Sequence, residues 1–217
     1  MIIGGLQKVS LIDYPGEVSS VIFTRGCNMR CIYCHNAHLV LPEHYAAPMD
    51  KEDILSFLYS RKHKIKAVVI SGGEPTLHRD LPEFIESIKQ LGYKIKLDTN
   101  GTNPDMLKNL LDKNMLDFVA MDIKAPLEKY PSICGIEVDL RAVVKSIEII
   151  KESGIKYEFR TTILKNIHTK EDIDKIKLLT GDSVTLNNFR FTDSVLNKNL
   201  SEEYEFLESE MSYLTEG

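Results

Sequence analysis

Apolar, β-branched runs recur along the chain at a steady interval, at residues 18–24, 65–71, 93–99, 117–123, 157–163 and 184–191, and each has the length and composition of a strand. The stretches between them carry apolar positions at helical spacing and open on residues that cap helices. Asp50 precedes KEDILSFLYSRK, Asp80 precedes LPEFIESIKQL with Pro82 early in the helix, and Asn103 precedes PDMLKNLLDK with Pro104 in the first turn. Asp139 precedes LRAVVKSIEIIKES, which stops at Gly154, and Thr169 precedes KEDIDKIKLLT, which stops at Gly181. The pattern is strand, helix, strand, helix. The run from Lys66 to Ile70 is almost continuously apolar, as a strand covered on both faces requires, so the sheet is predicted to be parallel. Right-handed crossovers then give a doubly wound sheet or a barrel. Six units are fewer than the eight of a closed TIM barrel, and the expected fold is an α/β, incomplete (β/α)6 TIM-type barrel, open on one side.

No linker or low-complexity tract divides the chain, so residues 1–217 are expected to form a single domain. The acidic tail 201–217, with Glu202, Glu203, Glu205, Glu208 and Glu210, is predicted to be a final helix with a solvated face. Of 217 residues 43% are hydrophobic and 27% charged, enough apolar material for a core. A formal charge of -5 lacks the basic field that generic nucleic-acid binding needs. No apolar stretch approaches the roughly 20 residues of a bilayer crossing, and the N-terminus lacks the regions of a secretory signal. A cytoplasmic location is the expectation.

Four cysteines are too few for a disulfide scaffold, and three of them, Cys27, Cys31 and Cys34, fall within eight positions directly after the first predicted strand. The spacing C-x3-C-x2-C has three readings. On a helix the three would share a face as small buried hydrophobes, although Asn28, Arg30, His35 and Asn36 are polar for a core. A structural zinc site would need a fourth ligand, such as His35. A [4Fe-4S] cluster held by three thiolates would leave one iron open to a substrate, since each iron ordinarily takes one cysteine. Cys134, in PSICG, stands apart and reads as an isolated loop or core thiol.

With Tyr33 as the aromatic residue before its last cysteine, the motif resembles that of the radical S-adenosylmethionine (SAM) superfamily. In that family the open iron binds the amino and carboxylate groups of SAM's methionine moiety. Gly72-Gly73-Glu74-Pro75, after the second strand, resembles the family's GGEP motif, whose backbone groups bond the methionine amino group; the resemblance places Gly73 at the closest approach. By position it also implies Thr99 and Asn100 near the ribose and sulfonium. Asp122, Lys124 and Arg160 are then expected at the methionine end or its charge balance, and His35 either as a donor to a cluster sulfide or SAM or in a packing role. A histidine that pyruvate formate-lyase activators carry near the sixth strand's end is replaced here by Asn188, Phe189 and Arg190.

Leu11-Ile12-Asp13-Tyr14-Pro15-Gly16, with the stretch Val21 to Cys27 and Tyr33-Cys34-His35-Asn36, resembles the glycyl-radical activating enzymes, most of all the activators of anaerobic ribonucleoside-triphosphate reductase. The resemblance implies a [4Fe-4S] cluster and SAM as cofactors, reductive cleavage of SAM, and a glycyl-radical enzyme as partner. A flavodoxin or ferredoxin-type protein would be the reductant. Activators with added ferredoxin-like cluster domains need many more than four cysteines. A small radical SAM enzyme acting on a small molecule, like 7-carboxy-7-deazaguanine synthase, and a zinc-stabilised binding module are the alternatives.

Overall fold

The computed structural model describes residues 1–181 and 184–215. Its centre is one seven-stranded sheet: β1 (Ile3–Ser10), β2 (Ser19–Thr24), β3 (Ala67–Gly72), β4 (Lys94–Thr99), β5 (Phe118–Asp122), β6 (Lys156–Ile163) and β7 (Thr185–Asn188). The strands lie side by side in sequence order. A doubly wound sheet reverses its order at a switch point; this one does not, which leaves the barrel. From β2 to β7 every pairing is parallel. β1 and β7 are not neighbours, so the barrel is incomplete.

The six predicted strands are β2 to β7, the last shorter than expected. β1 is an addition: it runs antiparallel to β2 with register shifts along the pair. The helices are α1 (Ala37–Val40), α2 (Lys51–Arg61), α3 (Leu81–Gln90), α4 (Pro104–Asp112), α5 (Tyr130–Cys134), α6 (Leu140–Glu152), α7 (Lys170–Thr180) and α8 (Glu208–Thr215). Asp50, Asn103 and Asp139 accept N–H bonds from the first turns of α2, α4 and α6, and Thr169 forms a reciprocal capping box with Asp172 on α7. Asp80 precedes α3 but makes no cap, because its carboxylate is engaged by Lys51 and the chain's amino terminus. In the predicted acidic tail, α8 is not merely solvated: Leu214, Met211 and Phe206 pack on Ile163 and Ile173. Glu216 and Gly217 lie outside the described residues.

Alternate strand residues face two cores. Ile22, Val68, Ile70, Leu97 and Val119 meet the helices. Val21, Ala67, Val69, Phe118 and Ala120 gather instead around Tyr14, whose ring meets that of Phe118 edge to face at 6.0 Å. Tyr14 belongs to the loop between β1 and β2, so the LIDYPG segment plugs the N-terminal end of the barrel. The opposite end is left for chemistry. There Thr24 pairs with Gly72, which sets the loop after β2 beside the double glycine after β3. Among the described residues no helix is long and apolar enough to cross a membrane.

Candidate active site

The segment between Thr24 and Ala37 is irregular, so the cysteines do not share a helix face and the packing reading of their spacing falls. Backbone bonds hold this loop from both sides. Arg30 and Ile32 N–H donate to the carbonyls of Cys134 (2.8 Å) and Ile133 (3.0 Å) at the end of α5, while Leu196 and Asn197 N–H donate to the carbonyls of Cys34 (2.9 Å) and Ile32 (3.1 Å). Within the loop, the Arg30 guanidinium donates to the carbonyls of Cys27 and Met29, each at 2.8 Å.

A cavity of about 250 Å³ opens at this end of the barrel, and Cys27, Cys31 and Cys34 form part of its wall. Among the described residues no three His, Cys, Asp or Glu side chains could share one metal ion. A tetrahedral zinc site needs such convergence, with each ligand on the order of 2 Å from the ion. A four-iron cluster takes one thiolate per iron, and three cysteines in the wall of one cavity suit it. Burial pushes the Cys27 thiol up to about 12 and also raises that of Cys34. A metal bound here would displace those protons. Cys31 is lowered to about 7, chiefly by its neighbour Cys134, whose carbonyl accepts the Arg30 N–H. Cys134 is therefore not isolated, contrary to the expectation from its sequence position. The Tyr33 hydroxyl is buried without a partner, and Tyr33 lines the cavity; an orphaned polar group in such a wall marks room for a ligand.

The double glycine is a seam between strands. A Cβ at Gly73 would lie 2.0 Å from the Gly26 carbonyl oxygen, and one at Gly72, where φ is +112°, would lie 2.5 Å from the Thr24 backbone. The requirement for glycine at 73 thus arises from the cysteine loop's own backbone. Glu74 is fully buried. Its carboxylate accepts from Thr76 N–H (3.1 Å), the Thr76 hydroxyl (2.5 Å), the Thr99 hydroxyl (2.7 Å) and Asn100 N–H (2.6 Å). Burial raises this carboxyl against the pull of those donors. Thr99 is correspondingly committed, since its hydroxyl also accepts from Gly101 N–H at 3.1 Å. Asn100 Nδ2 donates to Asn28 Oδ1 at 3.0 Å and lies 4.0 Å from Cys27 Sγ.

The expected charges Asp122, Lys124 and Arg160 join Lys96 and Asp98 in an alternating chain through the barrel. Lys96 Nζ meets Asp98 at 3.2 Å, Arg160 bridges Asp98 (3.6 Å) and Asp122 (3.0 Å), and Asp122 meets Lys124 Nζ at 3.2 Å. Burial opposes the charge on Lys124, but Asp122 beside it outweighs that and holds the ammonium protonated. Asp122 and Lys124 line the cavity, whereas Arg160 stands behind them. His35 lines it too, yet its Nε2 lies 2.6 Å from the Arg190 carbonyl and its ring packs on Phe189. Sequence reasoning missed His168. This buried ring accepts Leu164 N–H at Nδ1 (3.1 Å), so Nε2 carries the proton and faces the Lys124 carbonyl at 3.4 Å. Its signal is tertiary, with nothing local to announce it.

Fold and site define a radical SAM enzyme. The chain belongs to the radical SAM superfamily, whose sequence pattern matches residues 21–179, and whose members bind a [4Fe-4S] cluster and SAM. It is 37% identical over 183 residues to a Methanocaldococcus jannaschii protein assigned as a glycyl-radical enzyme activating enzyme, covering 81% of this chain and 73% of that one. A second protein of that organism with the same assignment is 31% identical over 178 residues, 81% of this chain and 67% of that one. A Pyrococcus horikoshii protein assigned as GTP 3',8-cyclase is 28% identical over 158 residues, 72% of this chain but 50% of the cyclase. Among solved structures, Streptococcus suis SuiB bound to its precursor peptide SuiA superimposes with a TM-score of 0.70 at 17% identity, covering 89% of this chain and 43% of SuiB. Native anSMEcpe with bound AdoMet gives a TM-score of 0.60 at 21% identity, covering 76% of this chain and 50% of that one. Both likenesses concern the fold.

Proposed function

We propose that this chain is a cytoplasmic, single-domain activating enzyme that uses SAM to place a glycyl radical on a separate protein, anaerobic ribonucleoside-triphosphate reductase. The observation that carries the reading is the identity of 37% to an assigned activating enzyme, spread over 81% of this chain. Cys27, Cys31 and Cys34 hold the cluster in this reading. Bound there together, cluster and SAM would supply one-electron reductive cleavage of the sulfonium, the chemistry needed to take a hydrogen atom from the partner's glycine Cα. A flavodoxin or ferredoxin-type protein delivers the electron.

The chain's own groups position and neutralise. The Gly72-Gly73 seam fixes the cysteine loop against β3, and the Glu74 carboxylate ties that strand's exit to Thr99 and Asn100 at the exit of β4. Lys124 presents a fixed positive charge at the cavity that holds the thiols, which offsets the negative charge of iron-bound thiolates. Anaerobic incubation of the reconstituted protein with SAM, reductant and the reductase is the test. The expected result is a paramagnetic resonance doublet that collapses when the reductase glycine is deuterated at Cα. SAM cleavage with no radical on any co-encoded glycyl-radical protein, together with consumption of a purified small metabolite, would assign the enzyme to small-molecule chemistry instead.

A further inference from the structure

β5 ends at Asp122, and just beyond it Ile123 N–H still donates to the Arg160 carbonyl of β6 at 2.7 Å. Lys124 follows outside the sheet, so its backbone groups need other partners. Two buried side chains supply them. Lys124 N–H donates to the Tyr130 hydroxyl at 3.2 Å, and the Lys124 carbonyl faces His168 Nε2 at 3.4 Å. Tyr130 is fully buried and His168 is 4% exposed. The imidazole is itself held by the turn that carries it: Nδ1 accepts Leu164 N–H at 3.1 Å, and His168 N–H donates to the Leu164 carbonyl at 2.9 Å. A ring nitrogen that accepts bears no proton, which fixes the tautomer with Nε2–H toward Lys124.

We propose that His168, with Tyr130 on the other side of the same residue, is a positioning residue that fixes the Lys124 backbone so that the ammonium meets a carboxylate of the ligand in the cavity. The inference rests on the reading of that cavity as the SAM site, and the carboxylate is then that of SAM's methionine end. Lys124 lines the cavity. Its Nζ donates to Asp122 Oδ2 at 3.2 Å, and Asp122 Oδ1 takes Arg160 Nε at 3.0 Å. In the chain of charges that meets there, Lys96, Arg160 and Lys124 are cations and Asp98 and Asp122 anions, which leaves one positive charge in excess, with Lys124 at the end of the chain. An ammonium has three donors and Asp122 takes one, so donors remain for a carboxylate. The four-carbon stem of lysine is flexible; where the ammonium stands depends on how firmly the backbone beneath it is held.

His168→Asn and His168→Gln separate the two ring nitrogens, because an Asn amide oxygen can replace the acceptor at Nδ1 and a Gln amide N–H the donor at Nε2. SAM affinity is measured by calorimetry on the anaerobically reconstituted wild type and both variants, each with Lys124 and with Lys124→Met, beside iron content and thermal midpoint. His168→Asn is expected to keep its iron and bind SAM about three- to tenfold more weakly, the range for one lost hydrogen bond. His168→Gln should bind SAM nearly as the wild type does while melting lower. With Lys124→Met in place, the Asn substitution should cost no further affinity. Unchanged SAM affinity in His168→Asn overturns the inference, and so does a loss of the same size without Lys124, which would make His168 a structural residue only. Should His168→Asn lose its iron, Tyr130→Phe decides on the same readouts: weaker SAM binding only where Lys124 is present supports the inference, and unchanged or Lys124-independent binding refutes it. A wild type that carries its cluster yet binds no SAM would overturn the reading of the cavity itself, and the inference with it.

Discussion

A methyl group at position 73 would lie 2.0 Å from the Gly26 carbonyl oxygen, closer than any real Cβ contact, and the obstacle is backbone. Overpacking costs about 1–3 kcal/mol where neighbours can shift, and here the neighbour is the residue before Cys27. Gly73→Ala is therefore expected to displace the cysteine loop and lower iron bound per chain after reconstitution, alongside any loss of SAM affinity. Retention of full iron with SAM affinity alone reduced would show that the glycine serves the ligand only. The motif itself was legible in SGGEP, but its local reason was not, because Gly26 and Gly73 are joined only through the register of β2 and β3. The same holds for Glu74, whose carboxylate looks available in sequence and in the structure is occupied by Thr76, Thr99 and Asn100. Cys134 looked isolated for a related reason: nothing near it in the sequence tells that α5 ends against Cys31.

Elements were readable wherever one residue both opens a helix and satisfies its first turn, as Asp50, Asn103, Asp139 and Thr169 do. β1 was not readable. Its segment holds Gly4 and Gly5 and turns polar at Gln7 and Lys8, and it becomes a strand by pairing with β2. α5 is five residues long with Pro131 in its first turn, too short for a period to emerge. At the start of α7, burial raises the Asp172 carboxyl, but Lys129 at 2.6 Å and the Thr169 N–H and hydroxyl more than reverse this and hold it below the usual range. A depressed folded pKa gives stability that is present above the ordinary aspartate value of about 3.9 and is lost as pH falls through the folded value. Asp172→Asn is expected to cost about 0.5–2 kcal/mol at neutral pH, the range for a lost cap, with the difference from wild type shrinking below about pH 4. Urea denaturation at several pH values measures this. A difference that persists unchanged into acid would mean that Asp172 contributes packing and no charge.

The whole molecule is an open barrel whose two ends differ in kind. Tyr14 and its apolar neighbours fill one end, and the other gathers three cysteines, the glycine seam and the ends of β4 and β5 around one cavity. The parallel, incomplete barrel could be read from six strand-like runs separated by capped helices, and the candidate site from cysteine spacing with GGEP. What the sequence left out was the support: α5 on one side of the cysteine loop and the segment carrying Leu196 and Asn197 on the other, each attached through backbone bonds that no side-chain pattern records. The central claim is that these parts make an enzyme that cleaves SAM by one-electron reduction. Its most direct measurement is product analysis of the anaerobically reconstituted chain given SAM and a strong reductant, with Cys27→Ala, Cys31→Ala and Cys34→Ala beside it. Equal amounts of 5'-deoxyadenosine and methionine from the wild type, with neither from the three variants, is the predicted result; a wild type that carries its cluster yet leaves SAM intact, or a Cys→Ala variant that cleaves it at the wild-type rate, would contradict the account.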